Sequence, residues 1–419
     1  MPYPEATTLY RARHLLPMGE ARGMVRSPIE DGGIAVRGGE IVAVERWTDL
    51  LREHPGAIRE DLGEVILMPG LINAHCHLDY GMMRGALFGG ESFSAWIQRL
   101  NGMRRSLDQS DYLDSIAAGL DELRHWGCTT VFNIESFPEL LPFLPESPIR
   151  VWWFLEVLDI RSRLHSSEAL TGAIQFFEKA GEGSGGFGIS PHAPYTVSRD
   201  LYNLAGLYAE KYKVPLCTHL AESEEEMAMF TKGEGALYEF LRSIGRSMDD
   251  CAGMTPVQIV LGAGLIPKGS LLVHMNLLSE GDREFLKGSA ADYPVIHCPR
   301  THAFFNREPF DLKYFSESGI PVLIGTDSLA SNQDLNMFAE MRAMESAFPE
   351  LDPMDILSMA TNKAAAAIGR SGWLGELSPG AAADFIAIPD DDAEGDMESL
   401  AKRVLANRMP PRVWISGRS

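Results

Sequence analysis

The sequence has few cysteines, fewer basic than acidic residues, and no long hydrophobic segment. Its 419 residues include five cysteines, and none of them forms a Cys-x-x-Cys pair. We therefore expect reduced, buried thiols, as in a cytoplasmic protein. Lys and Arg number 37 against 58 Asp and Glu, which gives a net charge of −21. This balance argues against a nucleic-acid partner, which requires a basic surface.

Targeting and membrane signals are also missing. Residues 1–8 contain no basic region followed by an apolar core, and no apolar run is long enough to span a bilayer. We therefore expect no signal peptide and no membrane partner. With 45% hydrophobic and 23% charged residues, the composition is typical of a folded globular protein.

A metal-binding motif is indicated by Met68-Pro-Gly-Leu-Ile-Asn-Ala-His75-Cys-His77. The apolar run from Val65 to Ile72 predicts a buried strand that leads to both histidines. Because side chains alternate along a strand, the two imidazoles share a face and could bind one metal ion. The alternative is one surface histidine and one structural core histidine, since an isolated His-x-His pair is a weak signal.

Eight predicted strands alternate with helical patterns in the middle of the chain. They lie at about 71–77, 129–134, 151–157, 187–192, 215–220, 271–275, 294–298 and 321–326. Apolar residues recur at helical spacing from Tyr112 to Leu123, and Gly127 predicts the end of that helix. Strands that alternate with helices predict parallel pairing. Eight such units predict an α/β fold with a (β/α)8 TIM-like barrel, whose chemistry lies at the carboxyl ends of its strands.

The two ends of the chain differ from this pattern. Residues 1–67 and 374–419 contain short strand-like segments separated by glycines, and Gly38-Gly39 predicts a hairpin turn. Neither segment has enough apolar residues to fold alone. We therefore expect one small β-sandwich domain built from both ends, with the barrel occupying residues 68–373.

Polar side chains fall at the ends of the predicted barrel strands. They are His75, His77, His192, His219, His274, His297 and Asp327. Because the carboxyl ends of barrel strands meet at one mouth, we expect these side chains to lie close together. Four other histidines are expected to be structural, namely His14, His54, His125 and His165.

Several motifs together resemble the amidohydrolase superfamily. They are the segment ending His75-Cys-His77, His219-Leu-Ala-Glu222, Val273-His274, His297-Cys-Pro299 and Gly325-Thr-Asp327-Ser328. The set is most similar to the cytosine deaminase-like branch, which includes S-adenosylhomocysteine/methylthioadenosine deaminases, guanine deaminases and chlorohydrolases. The tail at 375–385 also resembles that branch, so the resemblance covers nearly the whole chain.

The resemblance implies a catalytic metal site. His75, His77, His219 and Asp327 would bind one divalent ion, with zinc as the first choice and iron or manganese as alternatives. Three imidazoles and a carboxylate leave a position for water, which is typical of a catalytic site.

The resemblance also implies the roles of the proton-transfer residues. Glu222 would carry a proton from water to the substrate ring nitrogen and then to the leaving amine. His274 would bind or polarise the water or the substrate oxygen, and Asp327 would also accept a proton. The alternative for Glu222 is a solvent-exposed acid, because three more glutamates follow at 224–226.

Substrate contacts are implied in loops that follow the strands. The candidates are Arg84, Trp96, His192, His302 and Asn332. The usual His-Cys-Pro-x-Ser-Asn of the branch becomes His297-Cys-Pro-Arg-Thr-His302 here, which alters a pocket residue. Arg161 and Arg163 could pair with a substrate carboxylate or be solvated loop residues.

These expectations describe a mononuclear, metal-dependent deaminase that hydrolyses carbon–nitrogen bonds in cyclic amidines and releases ammonia. Strand four has no lysine, unlike that strand in two-metal relatives. The preferred substrate is a small adenosine-derived metabolite, namely S-adenosylhomocysteine, methylthioadenosine or aminodeoxyfutalosine. The alternatives are a guanine or cytosine deaminase, a chlorohydrolase that displaces a different leaving group from a similar ring, and a barrel that only binds a ligand. A homo-oligomer is left open.

Overall fold

The computed structural model describes most of the chain as two compact units. The described residues are 6–21, 24–25, 27–144, 146–160, 165–180, 185–288, 292–391 and 395–419. The first unit comprises Met1–Asn73, Asp121–Val131 and Leu335–Ser419, and the second comprises Ala74–Leu120 and Phe132–Asp334. Arg161 and Arg163 lie outside the described residues.

Strands and helices follow one another along the whole chain. The strands are β1 (Thr8–Leu15), β2 (Glu20–Ala21), β3 (Met24–Val25), β4 (Ile29–Arg37), β5 (Glu40–Arg46), β6 (Ile58–Asp61), β7 (Val65–Pro69), β8 (Leu71–His77), β9 (Cys128–Glu135), β10 (Arg150–Val157), β11 (Gly186–Pro191), β12 (Cys217–Leu220), β13 (Leu271–His274), β14 (Val295–His297), β15 (Val322–Ile324), β16 (Asp327–Ser328), β17 (Phe385–Pro389) and β18 (Arg412–Trp414). The helices are α1 (Trp47–Glu53), α2 (Phe93–Arg104), α3 (Gln109–His125), α4 (Ser166–Ala180), α5 (Arg199–Tyr212), α6 (Glu224–Lys232), α7 (Ala236–Ser243), α8 (Glu280–Gly288), α9 (Pro299–Phe304), α10 (Leu312–Glu317), α11 (Met337–Ala347), α12 (Pro353–Met359), α13 (Asn362–Ala367) and α14 (Met397–Ala406). None of the helices in these described ranges is long and apolar enough to cross a lipid bilayer.

The first unit contains a seven-stranded sheet with strands from both ends of the chain. Its order is β18-β17-β7-β1-β4-β5, and β6 also pairs with β1. β1 is parallel to β7, and β17 is antiparallel to β7. The predicted hairpin is confirmed, since β4 and β5 pair across Gly38 and Gly39, whose φ angles are 62° and 81°. Glycine adopts this left-handed conformation without steric cost.

An aromatic cluster joins the two ends of the chain within this sheet. Tyr10 of β1 lies edge-on to Phe385 of β17 with ring centroids 5.1 Å apart. Phe385 stacks on Trp414 of β18 at 4.9 Å. All three side chains are buried. Burial of one such ring stabilises the fold by about 1.5–3 kcal/mol, so the cluster ties β1, β17 and β18 together.

Two parallel sheets carry the strands that were predicted for the middle of the chain. Their orders are β11-β10-β9-β8-β16 and β12-β13-β14-β15. An isolated parallel bridge also joins Ile189 of β11 to Leu216, just before β12. The eight predicted strands are present within two residues of their predicted bounds. The predicted α/β class with parallel sheets is therefore confirmed.

The strands and helices form where the apolar pattern predicts them. All seven residues of β8 and all eight of β9 are buried, as expected for strands of a parallel sheet covered on both faces. In α3, Ile116, Leu120 and Leu123 are buried. The helix ends at His125, and Gly127 has a φ of 86°, which confirms the predicted helix and its stop.

Candidate active site

Five buried polar side chains meet at the carboxyl ends of strands in the second unit. His75 and His77 end β8, His219 lies in β12, His274 ends β13, and Asp327 begins β16. Each of these residues is at most 8% exposed. The structure thus brings together the four predicted metal ligands and His274.

The distances between these side chains match those of ligands that share an ion. His77 Nε2 lies 3.3 Å from His219 Nε2. Asp327 Oδ1 lies 3.6 Å from His75 Nε2 and 3.8 Å from His77 Nε2. Donor atoms around a tetrahedral ion with bonds of about 2.1 Å lie roughly 3.4 Å apart. His274 joins His75 and His219 in a second group whose ligand atoms lie within 4.8 Å of one another.

The protonation of the histidines also suits metal binding. His219 Nδ1 lies 3.0 Å from the carbonyl oxygen of His192. A carbonyl only accepts, so Nδ1 is the donor and Nε2 keeps its lone pair. Burial and the neighbouring His75 lower the pKa of His219 to about 3. Burial likewise lowers the pKa of His77 and His274. His77, His219 and His274 therefore present neutral imidazoles beside the carboxylate of Asp327, a donor set that fits a divalent ion such as zinc.

The backbone around the site adopts strained conformations. His274 and Asp327 have φ angles of 76° and 58°, in a region that costs a non-glycine residue about 1–3 kcal/mol. A Cβ atom at Gly325 would lie 2.8 Å from the Cβ of His75. Glycine at this position lets the strand that carries Asp327 approach β8. The surrounding packing thus holds the ligand-bearing segments in place.

Glu222 lies just after β12 and is buried, with 6% exposure. Its Oε1 accepts a hydrogen bond from Arg307 Nη2 at 3.1 Å and lies 3.8 Å from His274 Nε2. Burial raises the pKa of Glu222 to about 8, although Arg307 acts in the opposite direction. A carboxyl group with a pKa near neutrality is suited to both accept and donate a proton.

The acidic run after Glu222 is not uniformly exposed. Glu226 is fully buried and accepts hydrogen bonds from the backbone N–H of Ala221 at 3.2 Å and of Glu222 at 2.7 Å. Glu224 is exposed, whereas Glu225 is half-buried. The interpretation of Glu222 as a solvent-exposed acid is therefore wrong. Glu226 instead fixes the backbone that carries Glu222.

Two of the predicted substrate-binding residues have surroundings that suit contact with a ligand: His192 lies beside this site, and Trp96 lies in an aromatic group. The ring of His192 is 5.0 Å from that of His219, and its Nδ1 lies 2.6 Å from Thr196 Oγ1. Trp96 lies 5.2 Å from the ring of Phe305. Its indole nitrogen is buried and makes no hydrogen bond with the described residues, so it could donate to a ligand.

The other three predicted substrate contacts have different surroundings. Arg84 is exposed. Asn332 Nδ2 donates to the carbonyl oxygen of Thr326 at 2.9 Å, so it holds the loop that follows Asp327. His302 Nε2 donates to the carbonyl oxygen of Glu308 at 2.8 Å. Contacts of these residues with a substrate stay predictions.

His297 ends β14 but faces an aromatic neighbour. Its ring stacks on Phe310 with centroids 4.1 Å apart. Among the described residues, the groups that could hold a metal ion do not include it. His297 is close to His274, whose pKa is lowered by burial and also by His297, but it lies outside the described groups that could bind the ion.

A cavity of about 160 Å³ opens beside Glu222. Its walls include Glu91, Phe93, Asn276, Phe305 and Arg307. Among the described residues that line it, Arg307 is the only cationic one, beside several glutamates. The sequence analysis missed both Asn276 and Arg307, since each lies in a loop where no motif or spacing marks it.

Comparisons with known proteins extend these observations. A model of the amidohydrolase family matches residues 66–419. The chain is 29% identical over 361 residues to an aminodeoxyfutalosine deaminase of Deinococcus radiodurans, covering 83% of each chain. It is 29% identical over 383 residues to a 5-methylthioadenosine/S-adenosylhomocysteine deaminase of Pyrococcus furiosus, covering 86% of this chain and 83% of that one.

A similar fold is found among solved structures. The structure of an adenosine deaminase from Xanthomonas campestris with bound zinc superposes with a TM-score of 0.82 at 22% identity. The match covers 99% of this chain and 93% of the other. At this identity the likeness concerns the fold.

Proposed function

The chain belongs to the amidohydrolase family, and from this premise we propose that it is a mononuclear zinc-dependent deaminase of an adenosine-derived nucleoside. The predicted family, the class of metal-dependent aminohydrolase and the metal cofactor are confirmed by the comparisons and the histidine–aspartate cluster. The observation that carries the proposal is the buried carboxyl group of Glu222 beside His274 and the cluster.

The residues of the site suggest how such a reaction would proceed. A divalent ion held by His75, His77, His219 and Asp327 would supply a water nucleophile at neutral pH. Glu222 accepts one proton from the attacking water and delivers it to the ring nitrogen. It then takes the second proton from the hydroxyl group added to the ring carbon and passes it to the amine, so that a carbonyl forms and ammonia departs.

His274 would assist from the same side. Its Nε2 lies 3.8 Å from Glu222 Oε1, so the imidazole is close to the carboxyl group that would transfer protons. From there it would hydrogen-bond to the attacking water or to the oxygen that forms on the ring. Glu222 and His274 thus act on one proton-transfer region from neighbouring strands.

The aromatic residues near the cavity support a flat heterocyclic substrate. Phe93 and Trp96 are stacked with centroids 6.2 Å apart, and Phe305 packs against both. Aromatic side chains offer large, flat contact surfaces for a purine ring or an apolar substituent. The relatives named for adenosine-derived substrates favour that class over a free base.

A chlorohydrolase is the main alternative within the same fold. Chloride leaves without being protonated, whereas an amine is a poor leaving group until it gains a proton. A buried carboxyl group with a pKa near 8 at position 222 supplies that proton. This argument favours deamination over displacement of chloride.

A panel of substrates tests the proposal. The purified protein, loaded with zinc, is incubated with methylthioadenosine, S-adenosylhomocysteine, aminodeoxyfutalosine, guanine, cytosine and a chlorotriazine, and ammonia and chloride are measured. We expect ammonia from at least one of the three nucleosides. Ammonia from guanine or cytosine alone, or chloride from the triazine alone, would contradict the proposed substrate class.

We also propose that β8–β15 close into a (β/α)8 barrel within residues 68–373, and that residues 1–67 and 374–419 form a small β-sandwich. Support comes from the sequential parallel order of the strands and from the pairing of Asp327 with Cys76. The sheet shared by both ends of the chain supports the second part. A cytoplasmic location and a homo-oligomer stay predictions, as does the absence of a nucleic-acid partner.

A further inference from the structure

We propose that Arg307 is a positioning residue that clamps the carboxyl group of Glu222, through its Oε1 atom, in the orientation that faces His274. The inference deepens the proposed function and rests on it. It assigns a role to a residue that no sequence motif marks, and it gives His302 a structural part in the same arrangement.

The contact between the two side chains is shielded from solvent. Arg307 Nη2 donates to Glu222 Oε1 at 3.1 Å, and the side chains are 11% and 8% exposed. Charge-assisted hydrogen bonds are roughly twice as strong as neutral ones. His274 approaches the same oxygen, at 3.8 Å. The bond from Arg307 restricts the rotation of the Glu222 carboxyl group and holds Oε1 on the side of His274.

Aromatic rings hold the guanidinium in place. Cζ of Arg307 lies 4.8 Å from the ring centroid of Phe305 and 5.3 Å from that of Phe93. Both distances are within the range of cation–π attraction. A planar guanidinium can stack on rings and donate in a fixed direction, whereas a lysine ammonium cannot do both. The direction of the bond to Glu222 is therefore built into the packing.

Hydrogen bonds hold the loop that carries Arg307 and the backbone of Glu222. His302 Nε2 donates to the carbonyl oxygen of Glu308 at 2.8 Å, and Arg307 N donates to the carbonyl oxygen of His302 at 3.3 Å. Asn276 Nδ2 separately donates to the carbonyl oxygen of Glu222 at 3.0 Å. His302 thus anchors the loop that carries Arg307, and Asn276 anchors the backbone of Glu222.

The competing role for Arg307 is direct binding of a substrate anion. Arg307 is the only cation among the described lining residues of the cavity, and S-adenosylhomocysteine carries a carboxylate whereas methylthioadenosine does not. A clamp on Glu222 affects turnover of both compounds. An anion-binding residue affects mainly the KM of the charged one.

The test compares Arg307→Met, Arg307→Lys and His302→Phe with the wild type and with Arg300→Met. Arg300 is a matched control, because it lies in α9 and its guanidinium pairs with Asp334 rather than with Glu222. The measurements are kcat and KM for both nucleosides, bound zinc, and crystal structures of wild type and Arg307→Met. General acid–base catalysis contributes about 10²–10⁴-fold. We expect Arg307→Met to lose part of that, about tenfold to hundredfold in kcat on both substrates.

Several further results are expected if Arg307 is a clamp. KM changes by less than about threefold, zinc content is unchanged, and Arg307→Lys recovers part of kcat. His302→Phe shifts kcat in the same direction, and Arg300→Met leaves it near the wild-type value. In the crystal structure of Arg307→Met, the Glu222 carboxylate leaves its wild-type rotamer or occupies more than one.

Each contrary result is informative. Wild-type kcat in Arg307→Met, or an unmoved Glu222, overturns the clamp, and so does a rise in KM confined to S-adenosylhomocysteine. If the wild type releases no ammonia from any nucleoside, the proposed function fails. The clamp is then tested by the position of the Glu222 carboxyl group in the two crystal structures alone. If Arg307→Met does not fold, Arg307→Lys and His302→Phe supply the same measurements.

Discussion

Replacement of Glu222 by glutamine separates proton transfer from every other property of the site. The amide has nearly the same shape, and its oxygen can still accept the hydrogen bond that Arg307 donates to Oε1. It cannot carry a proton between water and a substrate. Glu222 is also outside the groups that could hold a metal ion in the described chain. The variant is therefore expected to fold, bind zinc and bind substrate.

The expected loss follows from the role of the group. General acid–base catalysis is worth about 10²–10⁴-fold, which corresponds to about 2.7–5.4 kcal/mol of barrier height. Because the carboxyl group would act on the reacting atoms, most of the loss should appear in kcat and little in KM. The assay is ammonia release at saturating nucleoside, together with zinc analysis of the same preparation.

The control is Glu234→Gln, whose side chain is 67% exposed. Glu225 is a poorer control, since it is half-buried and accepts from the backbone N–H of Ser94 at 3.3 Å. Near-normal turnover of Glu222→Gln would refute the assignment of the proton carrier. Loss of zinc from that variant would mean instead that Glu222 is a ligand.

Three further predictions concern the metal and the fold. His75→Ala or Asp327→Ala should reduce bound zinc from about one equivalent per chain and abolish activity. Two tightly bound ions in the active wild type would contradict the mononuclear site. Deletion of the chain after Trp373 should give insoluble protein, because it removes β17 and β18 from the seven-stranded sheet. A soluble and active truncated protein would contradict the proposal that both ends of the chain form one domain. Phe385→Ala should lower the free energy of unfolding by about 3–5 kcal/mol, measured by denaturant titration, and a loss below about 1 kcal/mol would show that the aromatic cluster contributes little.

The sequence predicted the elements of the second unit because buried parallel strands are almost continuously apolar. β8 is a clear case: its seven residues are all buried, and they were predicted with the observed bounds. The His-x-His spacing then placed two imidazoles on one face of a strand through local geometry alone. The same local rules placed α3 and the turn at Gly38 and Gly39. The sites of His219 and Asp327 followed from their positions at strand ends.

Only the tertiary structure decided how buried the acidic residues are and which partners they have. Glu222, Glu224, Glu225 and Glu226 are close together in sequence, yet two are buried, one is half-buried and one is exposed. Arg307 reaches Glu222 from 85 residues away, a contact set by the packing of a loop that has no periodic pattern. Local sequence rules describe which backbone conformation and which face a residue adopts. The desolvation and charge that raise the pKa of Glu222 arise from atoms brought together across the fold, so they are determined by the packed structure as a whole.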